Sequence, residues 1–186
     1  MQGIAWIEAY QPADEQEASD RILTLEQLRL CPETTWTREN GLAHMTASSM
    51  IFSPDRTQVL MAFHNIYQSW AWTGGHADGD QDLQAVALRE AQEETGAGPF
   101  RLLDDAPVAL DVLPVWGHVK RGVYVSSHLH LNVTFALEAP LDRAVRAKPD
   151  ENSDVGWLPV DQLDRWVNEP TMLPVYQKII ARVARA

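Results

Sequence analysis

Cysteine is nearly absent from this chain. Cys31 is the one thiol in 186 residues, so an intramolecular disulfide framework is excluded and a reducing, cytoplasmic setting is expected. Nothing around Cys31 in the sequence supplies a base that would make it a nucleophile. Long apolar runs are missing too: none approaches the ~20 residues of a bilayer span. Met1–Tyr10 has no basic start and is interrupted by Glu8, so a secretory leader is not expected. Positive charge is scarce, with 15 Lys and Arg against 26 Asp and Glu and a net charge of −11. That balance argues against a nucleic-acid polymer or a membrane as partner, because both are held through basic patches. It leaves room for a small phosphorylated substrate, since one metal ion and a few local cations can reverse the field inside a cleft.

What the chain does have is apolar mass. A hydrophobic fraction of 45% with seven Trp supplies the core of one domain, with a short appendage. Residues 1–41 read as that appendage: a strand or extended arm over Met1–Tyr10, then an amphipathic helix over Glu15–Leu30, stopped by Cys31-Pro32. They are expected to pack on the domain or on a second copy, as in a homodimer. From His44 the texture turns to β. Strands are expected at Met45–Ser53, Gln58–His64 and Tyr67–Thr73, the last delivering the chain to Gly74-Gly75. Two longer strands, Val108–Val119 and Val123–Leu137, are joined by a hairpin at Lys120-Arg121-Gly122. A short strand at Val155–Leu158, a short helix at Val160–Asn168 and an amphipathic helix at Met172–Arg185 close the chain. Strands interleaved with helices predict an α/β (α+β) layered fold for residues 42–186, a mixed sheet between helices.

The stretch with most to say is Gly74–Phe100, GGHADGDQDLQAVALREAQEETGAGPF. At roughly 100° per residue, Leu83, Val86 and Ala87 form an apolar stripe, and Glu90, Glu93 and Glu94 continue along it. Carboxylates that follow the apolar side inward need a cation, because an unpaired buried charge is costly. A divalent metal with oxygen ligands meets that need, so Mg²⁺, or Mn²⁺ in its place, is the expected cofactor. A substrate diphosphate could complete its coordination. Arg89 can hold one of the carboxylates by charge-assisted hydrogen bonds. Gly74 and Gly75 let the backbone pass close to metal or substrate. Gly96 suits a left-handed helix end, and Pro99 bars continuation.

The same residues resemble a family. Gly75, Gln81 and the run Arg89-Glu90-Ala91-Gln92-Glu93-Glu94-Thr95-Gly96-Ala97 look like the Nudix box, whose pattern is Gly-x5-Glu-x7-Arg-Glu-U-x-Glu-Glu-x-Gly-U. Every fixed position matches except Gln81, where the family has Glu; the two U positions, Ala91 and Ala97, are small. The resemblance implies a Nudix fold and Mg²⁺-dependent hydrolysis of a diphosphate that joins a second moiety, usually to a nucleoside. It carries Glu90, Glu93 and Glu94 over as metal ligands, with Glu93, Glu94 and Arg89 in the catalytic set. Asp80 and Asp82 flank Gln81 and can supply a helix cap or a water-mediated metal contact.

Outside the box, Glu151 is the candidate general base, by likeness to Nudix enzymes that place one on a later loop. Gly74, Gly75 and His76 are candidates for the substrate side. Arg143, Arg146 and Lys148 can reach phosphate, His128 and His130 share a strand face with Asn132, and Tyr67, Trp70 and Trp72 can stack on a base or fill the core. Two alternatives to a hydrolase stand beside it. One is a nucleotide-sensing Nudix domain without catalysis. The other is an isopentenyl-diphosphate isomerase, whose chemistry in the family uses a Cys and additional His ligands; Cys31 stands far from such a pattern.

Overall fold

The computed structural model describes residues 4–120 and 122–185. In chain order its elements are α1 (Ile4–Ala9), α2 (Glu15–Leu30), β1 (Ala43–Phe52), β2 (Gln58–His64), β3 (Ser69–Ala71), β4 (Thr73–His76) and α3 (Leu83–Thr95). There follow β5 (Arg101–Leu102), β6 (Ala109–Val115), β7 (His118–Lys120), β8 (Val123–Val125), β9 (His128–Glu138), β10 (Asn152–Pro159) and α4 (Leu173–Val183). Eight strands share a sheet with the order β10-β2-β1-β9-β5, in which β3 pairs β2, β4 pairs β1 and β6 pairs β9. Helices flank this mixed sheet, the layered arrangement expected. Among the described residues no helix is long and apolar enough to cross a membrane.

Backbone contacts group the chain into two compact units. The first takes the chain up to Ala47, Gly75–Val86 and Ala109–Val133; the second takes Ser48–Gly74, Ala87–Val108 and the chain from Thr134.

In the first unit, Asp14 caps α2 by accepting the Glu17 N–H at 2.9 Å, which satisfies an otherwise orphaned amide. Glu17 is fully buried but well satisfied, accepting from the Tyr10 hydroxyl at 2.7 Å and from the Ala13 N–H at 3.1 Å. Arg21 reaches back to the end of α1 and donates to the Ile7 carbonyl at 2.8 Å, a cation where the helix presents its unpaired carbonyls. On β6, Asp111 accepts from Gln16 at 3.1 Å, and the Val112 N–H donates to Asp20 at 2.9 Å. Helix α2 is thereby fastened to a strand of the sheet.

In the second unit, β10 runs antiparallel to β2 from Pro159 opposite Gln58 to Asn152 opposite His64. One apolar cluster joins Ile51 on β1, Leu60 and Ala62 on β2, Ala91 on α3, Leu137 on β9 and Val155 on β10. Ala91 and Ala97 are fully buried there, so their small size lets the helix and its exit lie close on the sheet. Trp72 meets Tyr176 of α4 edge-on at 5.2 Å, and Trp70 packs likewise on Phe63 and Trp166. These two Trp therefore fill packing roles.

Some expectations change. Ile4–Ala9 is helix, with Ile7 buried; Ile4 and Ile7 are three apart, a helical spacing that the apparent alternation concealed. Met1–Gly3 lie outside the described residues. The two long strands become four, broken at Trp116-Gly117 and Ser126-Ser127. These breaks are bonded together: the Gly117 N–H donates to Ser127 Oγ at 2.9 Å, and the Tyr124 hydroxyl fills the space a Cβ at Gly117 would need. The hairpin between β7 and β8 is present, with Lys120 opposite Val123 and Gly122 at φ +80°; Arg121 lies outside the described residues. Finally, Gly74 and Gly75 lie inside β4 rather than beyond a strand.

Candidate functional site

Helix α3 starts where Asp82 accepts the Ala85 N–H at 3.1 Å, so one of the two acids beside Gln81 is the cap. Gln81 itself is exposed. The helix ends at Gly96, whose φ of +67° is the left-handed geometry that glycine adopts without strain. Between these ends the apolar stripe is buried, with Leu83, Val86, Ala87 and Ala91 at 0–1% exposure.

The acidic residues divide along that stripe. Glu94 is buried, Glu90 has a side chain 16% exposed, and Glu93 turns outward with 47% of its side chain exposed. Burial, and then the charge of Glu90, push the Glu94 carboxyl up to about 8, opposed by a hydrogen bond from the Gly74 N–H. Burial also raises Glu90, with Glu93 adding to it. A cation would relieve both effects, and three carboxylates on one helix form an all-oxygen set suited to a hard divalent ion.

A loop brings further residues to this cluster. Lys148 Nζ lies 3.2 Å from Glu93 Oε2 and 2.9 Å from Glu151 Oε2, so a single ammonium ties the helix to the candidate base. Its own pKa is raised, first by the hydrogen bond to Glu151. The charge of Glu151 is felt at both Glu90 and Glu94. Arg89 approaches Glu90 at 4.0 Å, while it is Lys148 that bonds Glu93.

The loop is held by a residue that sequence reasoning passed over. Asn152 is 1% exposed; its Oδ1 accepts the Lys148 N–H at 2.7 Å, and its own N–H donates to the Lys148 carbonyl at 2.8 Å. Asn65 adds two bonds, its N–H to the Glu151 carbonyl at 3.0 Å and its side chain to the Pro149 carbonyl at 3.3 Å. The Pro149-Asp150-Glu151-Asn152 run marks a turn but does not show that the asparagine folds inward. The backbone bonds of Arg146 reach the helix exit, its N–H donating to the Thr95 carbonyl at 2.7 Å.

His76 packs among other histidines. Within the first unit its ring centroid lies 5.1 Å from that of His44 and 5.0 Å from that of His130, and His128 stacks on His44 at 4.9 Å. Burial lowers His44 and brings His76 down to about 3; burial also lowers His130. Asn132, on the same strand, is buried and accepts from Thr46 Oγ1 at 2.9 Å. His44 was not foreseen, because no sequence spacing links it to residues on β4 and β9.

The NUDIX domain family model matches residues 42–183. No curated protein is similar enough in sequence to count as a relative. Among solved structures, a C. elegans Ap4A hydrolase binary complex aligns over 76% of this chain and 98% of its own, at 16% identity and a TM-score of 0.56. The E. coli dihydroneopterin triphosphate pyrophosphohydrolase covers 76% of this chain and 96% of its own, at 19% identity and 0.55. The NUDIX domain of Shewanella oneidensis NrtR, complexed with ADP ribose, covers 75% and 87%, at 18% identity and 0.53. At these identities the likeness is one of fold.

Proposed function

The chain belongs to the Nudix family of phosphoanhydride hydrolases, and we propose that it uses Mg²⁺ to cleave a nucleoside diphosphate joined to a second moiety. The observation that carries this reading is the pairing of Glu94, buried beside Glu90, with the Glu93–Lys148–Glu151 chain at one end of α3. The family match begins at residue 42, which supports taking residues 42–186 as the hydrolase domain and residues 1–41 as an appendage.

Glu90, Glu93 and Glu94 would hold Mg²⁺, which when bound supplies neutralisation of the diphosphate charge and a more acidic water. Glu151 accepts the proton of the attacking water at a carboxylate oxygen. The water oxygen forms the new bond to phosphorus as the anhydride P–O bond breaks, and the leaving phosphate keeps the electron pair. Lys148 fixes Glu151 relative to Glu93 and offers positive charge to the phosphate side. The Gly74 N–H orients Glu94, Arg89 orients Glu90, and the bare backbone at Gly75 admits the substrate.

The test is incubation with Mg²⁺ and a panel of dinucleoside polyphosphates, ADP-ribose and nucleoside or pterin triphosphates, with Glu93→Gln and Glu94→Gln as controls. Metal-dependent cleavage of at least one compound is expected. In the variants the rate should fall roughly 10²–10³-fold, the scale of losing a charge-stabilising group. Tight binding of one compound with no cleavage of any would overturn the hydrolase reading in favour of a sensor.

A further inference from the structure

Four imidazoles from three strands gather in the first unit: His44 near the start of β1, His76 at the end of β4, and His128 and His130 on β9. One ring nitrogen from each of His44, His76 and His130 falls within 4.8 Å of the others. His128 Nε2 stands 3.2 Å from His130 Nε2.

Hydrogen bonds at the far side of two rings decide where the lone pairs are. His44 Nδ1 lies 2.9 Å from the Asn40 carbonyl, and His128 Nδ1 lies 2.8 Å from the Ser126 carbonyl. A carbonyl only accepts, so each Nδ1 carries a proton, and in the neutral ring the lone pair is then on Nε2. His44 is 4% exposed, and its Nε2 is buried with no hydrogen-bond partner. A backbone carbonyl behind a histidine, with the other nitrogen free, is the orienting arrangement found behind metal-bound imidazoles.

We propose that His44, His76 and His130 hold a borderline divalent transition-metal ion, Zn²⁺ or one like it, with His128 available as a fourth nitrogen. Tetrahedral coordination at Zn–N distances of ~2.0–2.1 Å sets neighbouring nitrogens about 3.3 Å apart. The His128–His130 pair already stands at 3.2 Å, and the ligating nitrogens of His44, His76 and His130 lie within 4.8 Å of one another. An all-imidazole set selects Zn²⁺, Co²⁺ or Ni²⁺ over Mg²⁺, the reverse of the preference of the three carboxylates on α3. The charged pair in the same unit, Arg38 and Asp78, is engaged internally, with Arg38 Nε donating to Asp78 Oδ1 at 2.8 Å. Neutral imidazoles, which burial favours here, are the form a metal requires. A bound ion would fasten β1, β4 and β9 together, and this moves His76 from the phosphate to the metal.

The full-length protein, stripped with a chelator and then saturated with Mg²⁺, should be titrated with Co²⁺ and, separately, Zn²⁺. One Co²⁺ per chain should appear with the intense visible absorption of a tetrahedral ion, and Zn²⁺ should displace it and raise Tm by several degrees. Affinity should fall at least tenfold in His44→Gln and in His76→Gln, each checked for folding by circular dichroism, and should be unchanged in Glu93→Gln. If His130→Ala does not fold, the two Gln variants still decide the matter. Binding that survives both His variants, a weak octahedral spectrum, or no uptake by the folded protein would overturn the proposal. Because Mg²⁺ is held constant, these outcomes are independent of whether any diphosphate is cleaved.

Discussion

A carboxylate that is 9% exposed and faces a second carboxylate works against the fold unless a cation accompanies it. Glu94 is such a group. In chelator-treated protein, Glu94→Gln should therefore melt higher than the parent, by the equivalent of about 1 kcal/mol or more, while losing catalysis. Added Mg²⁺ should stabilise the parent more than the variant. A variant that is both inactive and less stable without metal would show that Glu94 is a structural group. Asn152 makes the opposite case. Its Oδ1 accepts the Lys148 N–H in a part-buried bond, and Asn152→Ala leaves that N–H without this partner. A loss of about 1–3 kcal/mol in denaturant unfolding is expected, together with a lower kcat, because Lys148 and Glu151 lose their support. The spacing of the acidic triplet could be read from helical angles alone, since all three carboxylates lie on one helix; its partners Lys148 and the Gly74 N–H could not. Asn152 could not, because an asparagine in a polar loop looks the same whether it is solvated or folded inward.

At the scale of elements, legibility followed the range of the forces. Helix α2 and strand β2 match the expected Glu15–Leu30 and Gln58–His64, since periodicity and a following breaker decide each locally. The breaks that separate β6 from β7 and β8 from β9 rest on Gly117 bonding Ser127, ten residues away. A continuous β-rich composition gives no sign of that contact. The two ends of α3 were legible because capping is local chemistry. Asp82→Ala removes the acceptor of the Ala85 N–H and should cost about 1 kcal/mol by chemical denaturation. If Asp80 can substitute as cap, Asp82→Ala would be neutral, and the assignment of the cap to Asp82 would fail.

Across the whole molecule, a net charge of −11 means that mild acid relieves self-repulsion, so stability should not simply decline below neutrality. One bridge at the sheet edge runs the other way. Glu138 ends β9 and accepts from Arg56, in the turn between β1 and β2, and from Arg101 of β5 at 2.8 and 3.0 Å. The hydrogen bond from Arg56, and then that from Arg101, hold its carboxyl below the usual value. A carboxylate whose folded pKa is depressed binds fewer protons folded than unfolded over that interval. Its contribution is therefore present above the unfolded pKa of ~4.3 and lost as pH falls through the lower folded value. Glu138→Gln should cost about 1 kcal/mol at pH 7, the upper range for a partly screened pair with two partners. The gap between parent and variant in urea unfolding should close towards pH 3, while high salt narrows it at pH 7. A gap that stays constant from pH 7 to pH 3 would mean that the glutamine loses shape and packing rather than charge, and the bridge would then be geometric, not electrostatic.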